Sequence, residues 1–129
     1  MTIAVIADKY GLTPDTLRYY ERVGLIPPVP RTPSGMRNYG ADDCQWIEFI
    51  KCMRLAGLPV DVLAEYVKLS RRGDETLPRR KQLLKEQRAN LVRRIADMQE
   101  TLRRLDSKIE HYDKCPVPGR QDTNENSNS

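Results

Sequence analysis

The stretch Ile3-Ala4-Val5-Ile6-Ala7-Asp8-Lys9-Tyr10-Gly11-Leu12-Thr13-Pro14-Asp15-Thr16-Leu17-Arg18-Tyr19-Tyr20-Glu21-Arg22-Val23-Gly24 decides the fold. Ile3 and Ile6 fall on one helical face, Ala7 is small, and Leu12 and Leu17 return to the same core. Ala7 lets a second helix approach closely, and Gly11 supplies the positive φ that reverses the chain. The second helix has strong start signals: Thr13 as N-cap, Pro14 at the first helical position and Asp15 in the positive first turn. Gly24 is its expected stop. The pattern predicts a helix-turn-helix. On the second helix, Leu17 and one ring of Tyr19-Tyr20 anchor the core, while Thr16 and Arg18 project outward beside the other ring. An arginine, a threonine and a phenol on a short helix suit phosphates and base edges. A plain αα-hairpin with amphipathic tyrosines fits the same spacing, so the residues that follow matter.

Leu25-Ile26-Pro27-Pro28-Val29-Pro30-Arg31 is extended by its prolines, Thr32-Pro33-Ser34-Gly35 reads as a turn, and Met36-Arg37-Asn38-Tyr39 as a returning strand. Together they predict a small β-hairpin wing carrying Arg31, Arg37 and Tyr39. Such a wing adds backbone contacts that fix register on DNA. Asp42 or Asp43 then caps a helix with Trp46, Ile47, Phe49, Ile50 and Met53 on its apolar face. After Gly57, Pro59 opens a short helix bearing Val60, Val62, Leu63, Tyr66 and Val67.

Residues 76–113 contain no Gly, and their one proline, Pro78, fits a first helical turn. Leu84, Leu91, Met98, Leu105 and Tyr112 recur every seven residues, interleaved with Arg88, Ile95, Leu102 and Ile109. This is a heptad seam with one polar intrusion, Arg88. A 70-residue head cannot cover so long a stripe, so a second copy is the expected partner in a two-stranded coiled coil. The chain therefore divides into a DNA-binding head (1–70), a dimerisation helix (76–113) and a polar tail (115–129) expected to be disordered. The fold class is mainly α.

Among the 129 residues, 22 Lys and Arg face 18 Asp and Glu, a net charge of +4. Residues 1–70 are balanced, with 8 basic and 8 acidic side chains, and the surplus sits on residues 71–114 with 13 against 8. Bulk charge therefore does not argue for DNA binding, and the placed groups must. No apolar run approaches a membrane span or a signal peptide, so a cytoplasmic, nucleoid-associated protein without membrane contact is expected. Three irregularly spaced cysteines make no disulfide framework. One histidine, no nucleophile–base spacing and no glycine-rich phosphate loop leave no enzyme signature, and no cofactor is implied. A coiled-coil adaptor that never touches DNA would explain the seam but leave Arg18, Arg31, Arg37 and Tyr39 idle.

Thr16-Leu17-Arg18-Tyr19-Tyr20-Glu21-Arg22-Val23-Gly24-Leu25-Ile26-Pro27-Pro28, then Gly35-Met36-Arg37-Asn38-Tyr39 and Arg54-Leu55-Ala56-Gly57-Leu58, closely resembles the MerR family of bacterial transcription regulators. The resemblance implies a winged-helix head, an antiparallel coiled-coil dimer and a pseudo-palindromic operator. It also implies that an overlong promoter spacer is distorted so that RNA polymerase holoenzyme engages both promoter elements. By matching position it implies DNA contacts from Arg18, Tyr19, Arg31, Arg37 and Tyr39, with Thr16 and Tyr20 close by and Arg54 reaching a phosphate. The family usually has Tyr where this chain has Met36.

Two sensing sites are open. His111 and Cys115 could supply two soft-metal ligands, with a dimer partner adding a third. Trp46-Ile47-Glu48-Phe49-Ile50-Lys51-Cys52-Met53-Arg54 instead resembles the aldehyde- and electrophile-responsive branch of the family, the AdhR and NmlR type. That resemblance implies a sensor thiol at Cys52, modified by an aldehyde or quinone so that packing between head and coil changes. Cys44 lies eight residues earlier on the same helix, about 12 Å away, too far for a disulfide with Cys52.

Overall fold

The computed structural model describes residues 1–114. Their elements run α1 (Ile3–Tyr10), α2 (Pro14–Arg22), α3 (Ala41–Leu55), α4 (Val60–Arg72), a single 3-10 turn (Asp74–Thr76) and α5 (Leu77–Lys114). Packing separates two units, one ending at Gln87 and the other beginning at Arg88.

The first turn is built as its residues demand. Thr2 caps α1 by accepting the Val5 amide at 3.3 Å, and Gly11 ends the helix at φ 64°. The reversed chain then lets the Leu12 amide donate to the Ala7 carbonyl at 2.9 Å. Lys51, from α3, donates its ammonium to the Tyr10 carbonyl at the negative end of α1. Thr13 caps α2 by accepting the Thr16 amide at 3.1 Å, with Pro14 opening the helix and Asp15 in its first turn. Gly24, at φ 82°, turns the chain out of α2 so that the Leu25 amide reaches the Tyr20 carbonyl at 2.8 Å.

Ile6, Leu17, Leu25, Ile26, Tyr39, Ile47, Ile50 and Leu63 form the fully buried centre of this unit. Each such aliphatic side chain contributes about 1.5–3 kcal/mol relative to exposure. Between α3 and α4, Tyr66 meets Trp46 at 6.1 Å and Phe49 at 5.4 Å between ring centroids.

Two local expectations are corrected. The wing hairpin does not form. Among the described residues its place is taken by a loop with one isolated antiparallel bridge, Arg31 to Arg37. Two bonds flank the bridge, Thr32 amide to Met36 carbonyl and Asn38 amide to Pro30 carbonyl, each 2.7 Å. Pro30 and Pro28 have no N–H to donate at the next ladder positions, and on the other side the Gly35 amide closes the turn onto the Thr32 carbonyl at 2.8 Å, so the ladder extends in neither direction. The cap of α3 is Gly40, not Asp42 or Asp43. Asp43 sits one turn in and reaches back, its Oδ2 accepting the Gly40 amide at 2.8 Å.

At the end of α4, Thr76 is buried and donates its hydroxyl to the Leu69 carbonyl at 2.7 Å. Arg80 donates from Nε to the Thr76 hydroxyl at 2.9 Å and from Nη2 to the Gly73 carbonyl at 3.2 Å. The opening turns of α5 thus pack with the head, down to Leu83, which is buried. Leu84, the first seam position, is half-buried.

The second unit, from Arg88, is helical to Lys114. Its stripe of Ile95, Met98, Leu102, Leu105, Ile109 and Tyr112 is 41–70% exposed. Exposed ion pairs run along it, Arg103 and Arg104 with Glu100 and Lys114 with Glu110. Cys115 and the polar tail lie outside the described residues.

Candidate nucleic-acid interface

The outer face of α2 presents the first group of candidate residues. Arg18 is exposed and holds Asp15 through Nη1 at 2.8 Å, in a pair open to solvent on both sides. Such pairs contribute about 0–1 kcal/mol, so little holds the Arg18 guanidinium to Asp15. Tyr19 is the exposed ring of the pair, 37% accessible, with the Arg22 guanidinium 5.4 Å from its centroid. Thr16 is half-buried, its hydroxyl sharing a 2.9 Å bond with that of Thr13. From the adjoining loop, Arg31 is exposed and donates to the Gly35 carbonyl at 3.0 Å.

Glu21 joins that loop to α2. Its Oε1 accepts Arg37 Nε at 2.6 Å and its Oε2 accepts the Val29 amide at 3.0 Å. Burial alone raises this carboxyl, and is the largest single effect on it. The hydrogen bonds from Arg37 and Val29, with the charges of Arg37 and Arg31, outweigh burial and hold it below the ordinary value. Arg37 spends only Nε on this contact, so its two outer nitrogens remain for a further acceptor. The sequence reading passed over Glu21. The signal was present: four residues after Leu17, it lies on the core side of α2, where an unpaired carboxylate is costly.

The remaining expected contacts are placed differently. Tyr20 is buried in the core. Burial pushes its phenol up, and the Arg54 charge opposes that shift. Tyr39 is 2% exposed, and its amide is fixed to the Met1 carbonyl at 2.8 Å. Its hydroxyl is buried without a hydrogen-bond partner. Neither ring is presented outward, because each fills the space between α2 and the elements that cover it. Arg54 donates from Nη1 to the Leu58 carbonyl at 2.6 Å, closing the turn after α3.

Cys52 is exposed on α3, whereas Cys44 on the same helix is buried, and both are free thiols. Cys44 faces Tyr10, whose phenol is pushed up to about 12, chiefly by burial and then by Cys44 and Glu48. His111 is exposed on the last turn of α5, edge-on to Tyr112 at 6.4 Å. Among the described residues no cluster of three His, Cys, Asp or Glu forms a metal cage. No described helix is long and apolar enough to cross a membrane.

Residues 1–69 match the family model described as MerR HTH family regulatory protein, and residues 44–108 the model described as MerR, DNA binding. The HTH-type transcriptional regulator AdhR of Bacillus subtilis (strain 168) is 55% identical over 92 residues, covering 71% of this chain and 66% of AdhR. This chain thus spans just under two thirds of that relative. A MerR family regulator from Listeria monocytogenes superposes with a TM-score of 0.87 at 48% identity, covering 95% of this chain and 92% of that one. HiNmlR, described as a MerR family regulator lacking the sensor domain and solved bound to promoter DNA, gives 0.82 at 30% identity, covering 92% and 94%. The chain belongs to the MerR family of helix-turn-helix, DNA-binding transcription regulators.

Proposed function

We propose that this regulator binds a pseudo-palindromic promoter element as an antiparallel coiled-coil homodimer, distorts the promoter spacer to control RNA polymerase, and responds to reactive aldehydes through Cys52. The observation that carries the DNA reading is the joint surface of α2 and its loop. Arg18 and Tyr19 stand outward on the helix, Arg31 is exposed on the loop, and Glu21 holds Arg37 with two nitrogens spare. Arg31 and Arg37 are suited to phosphates that set register, and Arg18 to a base edge. Thr16, bonded to Thr13, adds a hydroxyl at the start of the helix, while Tyr20 and Tyr39 are buried beneath the surface. The similarity to HiNmlR supports this use of the surface. The dimer reading rests on the exposed stripe Ile95, Met98, Leu102, Leu105, Ile109 and Tyr112, continued toward the head by Leu91 and Leu84.

For sensing, Cys52 is the exposed thiol of α3. Its sulfur adds to an aldehyde carbonyl carbon, the C=O π bond breaks, and the thiol proton ends on that oxygen as a hemithioacetal. No oxidant is needed. Similarity to AdhR and the resemblance of residues 46–54 support this branch. The DNA reading is tested by gel shift on a palindromic promoter fragment with a salt titration: steeply salt-dependent, sequence-selective binding is expected, and weak binding indifferent to sequence refutes it. The sensing step is tested by a promoter reporter carrying Cys52→Ala, which should lose induction by formaldehyde or methylglyoxal. Undiminished induction eliminates the thiol sensor. Induction by soft metal ions that disappears with Cys115→Ala assigns sensing to His111 and Cys115 instead.

A further inference from the structure

A second charged feature of the head adjoins the surface of α2 and its loop and shares Glu21 and Arg22 with it. Between the C-terminal end of α2 and the outer half of α4 runs a cleft of about 590 Å³, within the range of ligand clefts. One wall is Arg22, Val23, Gly24, Ile26 and Pro28, and the other is Ala64, Val67, Lys68, Arg71 and Arg72. The walls meet through small residues: a Cβ on Gly24 would lie 4.0 Å from that of Ala64. Val23 and Ala64, half-buried, and Pro28, exposed, give the cleft its accessible apolar surface, above the buried Ile26 and Val67.

The rim carries four exposed cations. Lys68, Arg71 and Arg72 share one face of α4 at i, i+3 and i+4 spacing, where like charges repel. None of the three has an ion-pair partner among the described residues. Arg22 faces them from α2, over the Tyr19 ring. The one carboxylate in the lining, Glu21, is already taken by Arg37 and Val29. The helix dipoles favour Arg71 and Arg72 at the end of α4 and Arg22 at the end of α2, but they do not account for Lys68, which stands before the last turn of α4.

We propose that this cleft docks a short acidic peptide segment of another protein. Its carboxylates pair with Arg22, Lys68, Arg71 and Arg72, and one or two apolar side chains seat over Val23, Pro28 and Ala64. A nucleic-acid backbone matches the rim but offers nothing apolar to the floor. A second copy of the chain does not supply the charge either, since residues 1–70 are balanced and residues 71–114 carry 13 Lys and Arg against 8 Asp and Glu. The docked segment makes no use of Arg18, Arg31 or Arg37, the groups assigned to DNA.

The test is fluorescence anisotropy of the full chain with a labelled peptide of about twelve residues, roughly 40 Å extended, in which Asp and Glu are interspersed with two Leu and one Phe. A Kd of about 10 μM at low salt is expected, weakened about tenfold or more in Lys68→Glu/Arg71→Glu. Both changes lie on exposed side chains, so an unchanged melting curve accompanies them, and promoter affinity stays within about twofold. Replacing the peptide's Leu and Phe by Ser is expected to weaken it about fivefold or more. Peptide affinity that ignores the charge reversal, or ignores loss of the apolar side chains, overturns the proposal. So does a charge reversal that lowers promoter affinity while sparing the peptide, which would make the rim a phosphate contact.

Discussion

Glu21→Gln isolates the ionic part of the link between α2 and its loop. The side chains of Glu21 and Arg37 are only 14% and 21% exposed, and their contact is 2.6 Å. A charge-assisted hydrogen bond in such a setting contributes about 1.5–3 kcal/mol. Gln keeps a carbonyl oxygen for the Val29 amide, so the expected loss near pH 7 is about 1–2 kcal/mol. In a unit of this size that is a fall in Tm of roughly 5–15 °C. Glu21→Ala also leaves the Val29 amide unpaired, adding about 1–2 kcal/mol. Because the folded carboxyl is held below its ordinary value of 4.5, its stabilisation is fully present above that pH and fades as pH falls through the lower, folded value. Urea melts of wild type and Glu21→Gln, stepped from pH 7 to pH 3, should show a constant gap at the upper end that closes at the lower end. With Arg37 no longer held, promoter affinity should also fall about tenfold, again about 1.4 kcal/mol. A gap below about 0.3 kcal/mol at pH 7, or one that widens on acidification, refutes the reasoning.

Tyr39→Phe removes a buried hydroxyl that has no partner, so urea melts should find it neutral or stabilising by up to about 1 kcal/mol, and gel shifts should find promoter affinity unchanged. A large drop in affinity would show that the hydroxyl reaches DNA after all. Gly11→Ala places a Cβ at φ 64°, where the nearest other atom is an uncrowded 3.8 Å away, so only backbone strain of about 1–2 kcal/mol should appear in thermal melts. Leu102→Lys/Ile109→Lys puts charge into the exposed stripe. Sedimentation should then report a monomer, with promoter affinity down about a hundredfold, while the head's melting transition is retained.

The helix-turn-helix was legible because every signal for it is local. Thr13, Pro14, Asp15 and the two glycines act within a turn of their own position, and the structure uses them as read. Cys44, three residues before Ile47, is buried beside it, whereas Cys52, two residues after Ile50, is exposed. The wing failed for a reason visible in the residues. A proline-extended run, a turn and a returning strand suggested a hairpin, but Pro30 and Pro28 withhold the donors its ladder needs. The surroundings of Tyr39 and Arg37 were not legible because they come from distant residues: Met1 fixes the backbone of one, and Glu21 the guanidinium of the other.

By itself, then, the sequence determined where helices begin, where the chain reverses, which stripe of α5 is apolar and which family the chain resembles. All of these depend on periods of a few residues and on the φ preferences of Gly and Pro. Only the tertiary structure decided which candidate side chains face outward. Tyr19 and Tyr20 are neighbours with the same chemistry, and packing against the rest of the head exposes one and buries the other. Likewise, Glu21 and Arg37 are joined across sixteen residues by a fold that brings α2 against its loop. Burial and ion pairing are properties of that three-dimensional neighbourhood, and no local spacing encodes them.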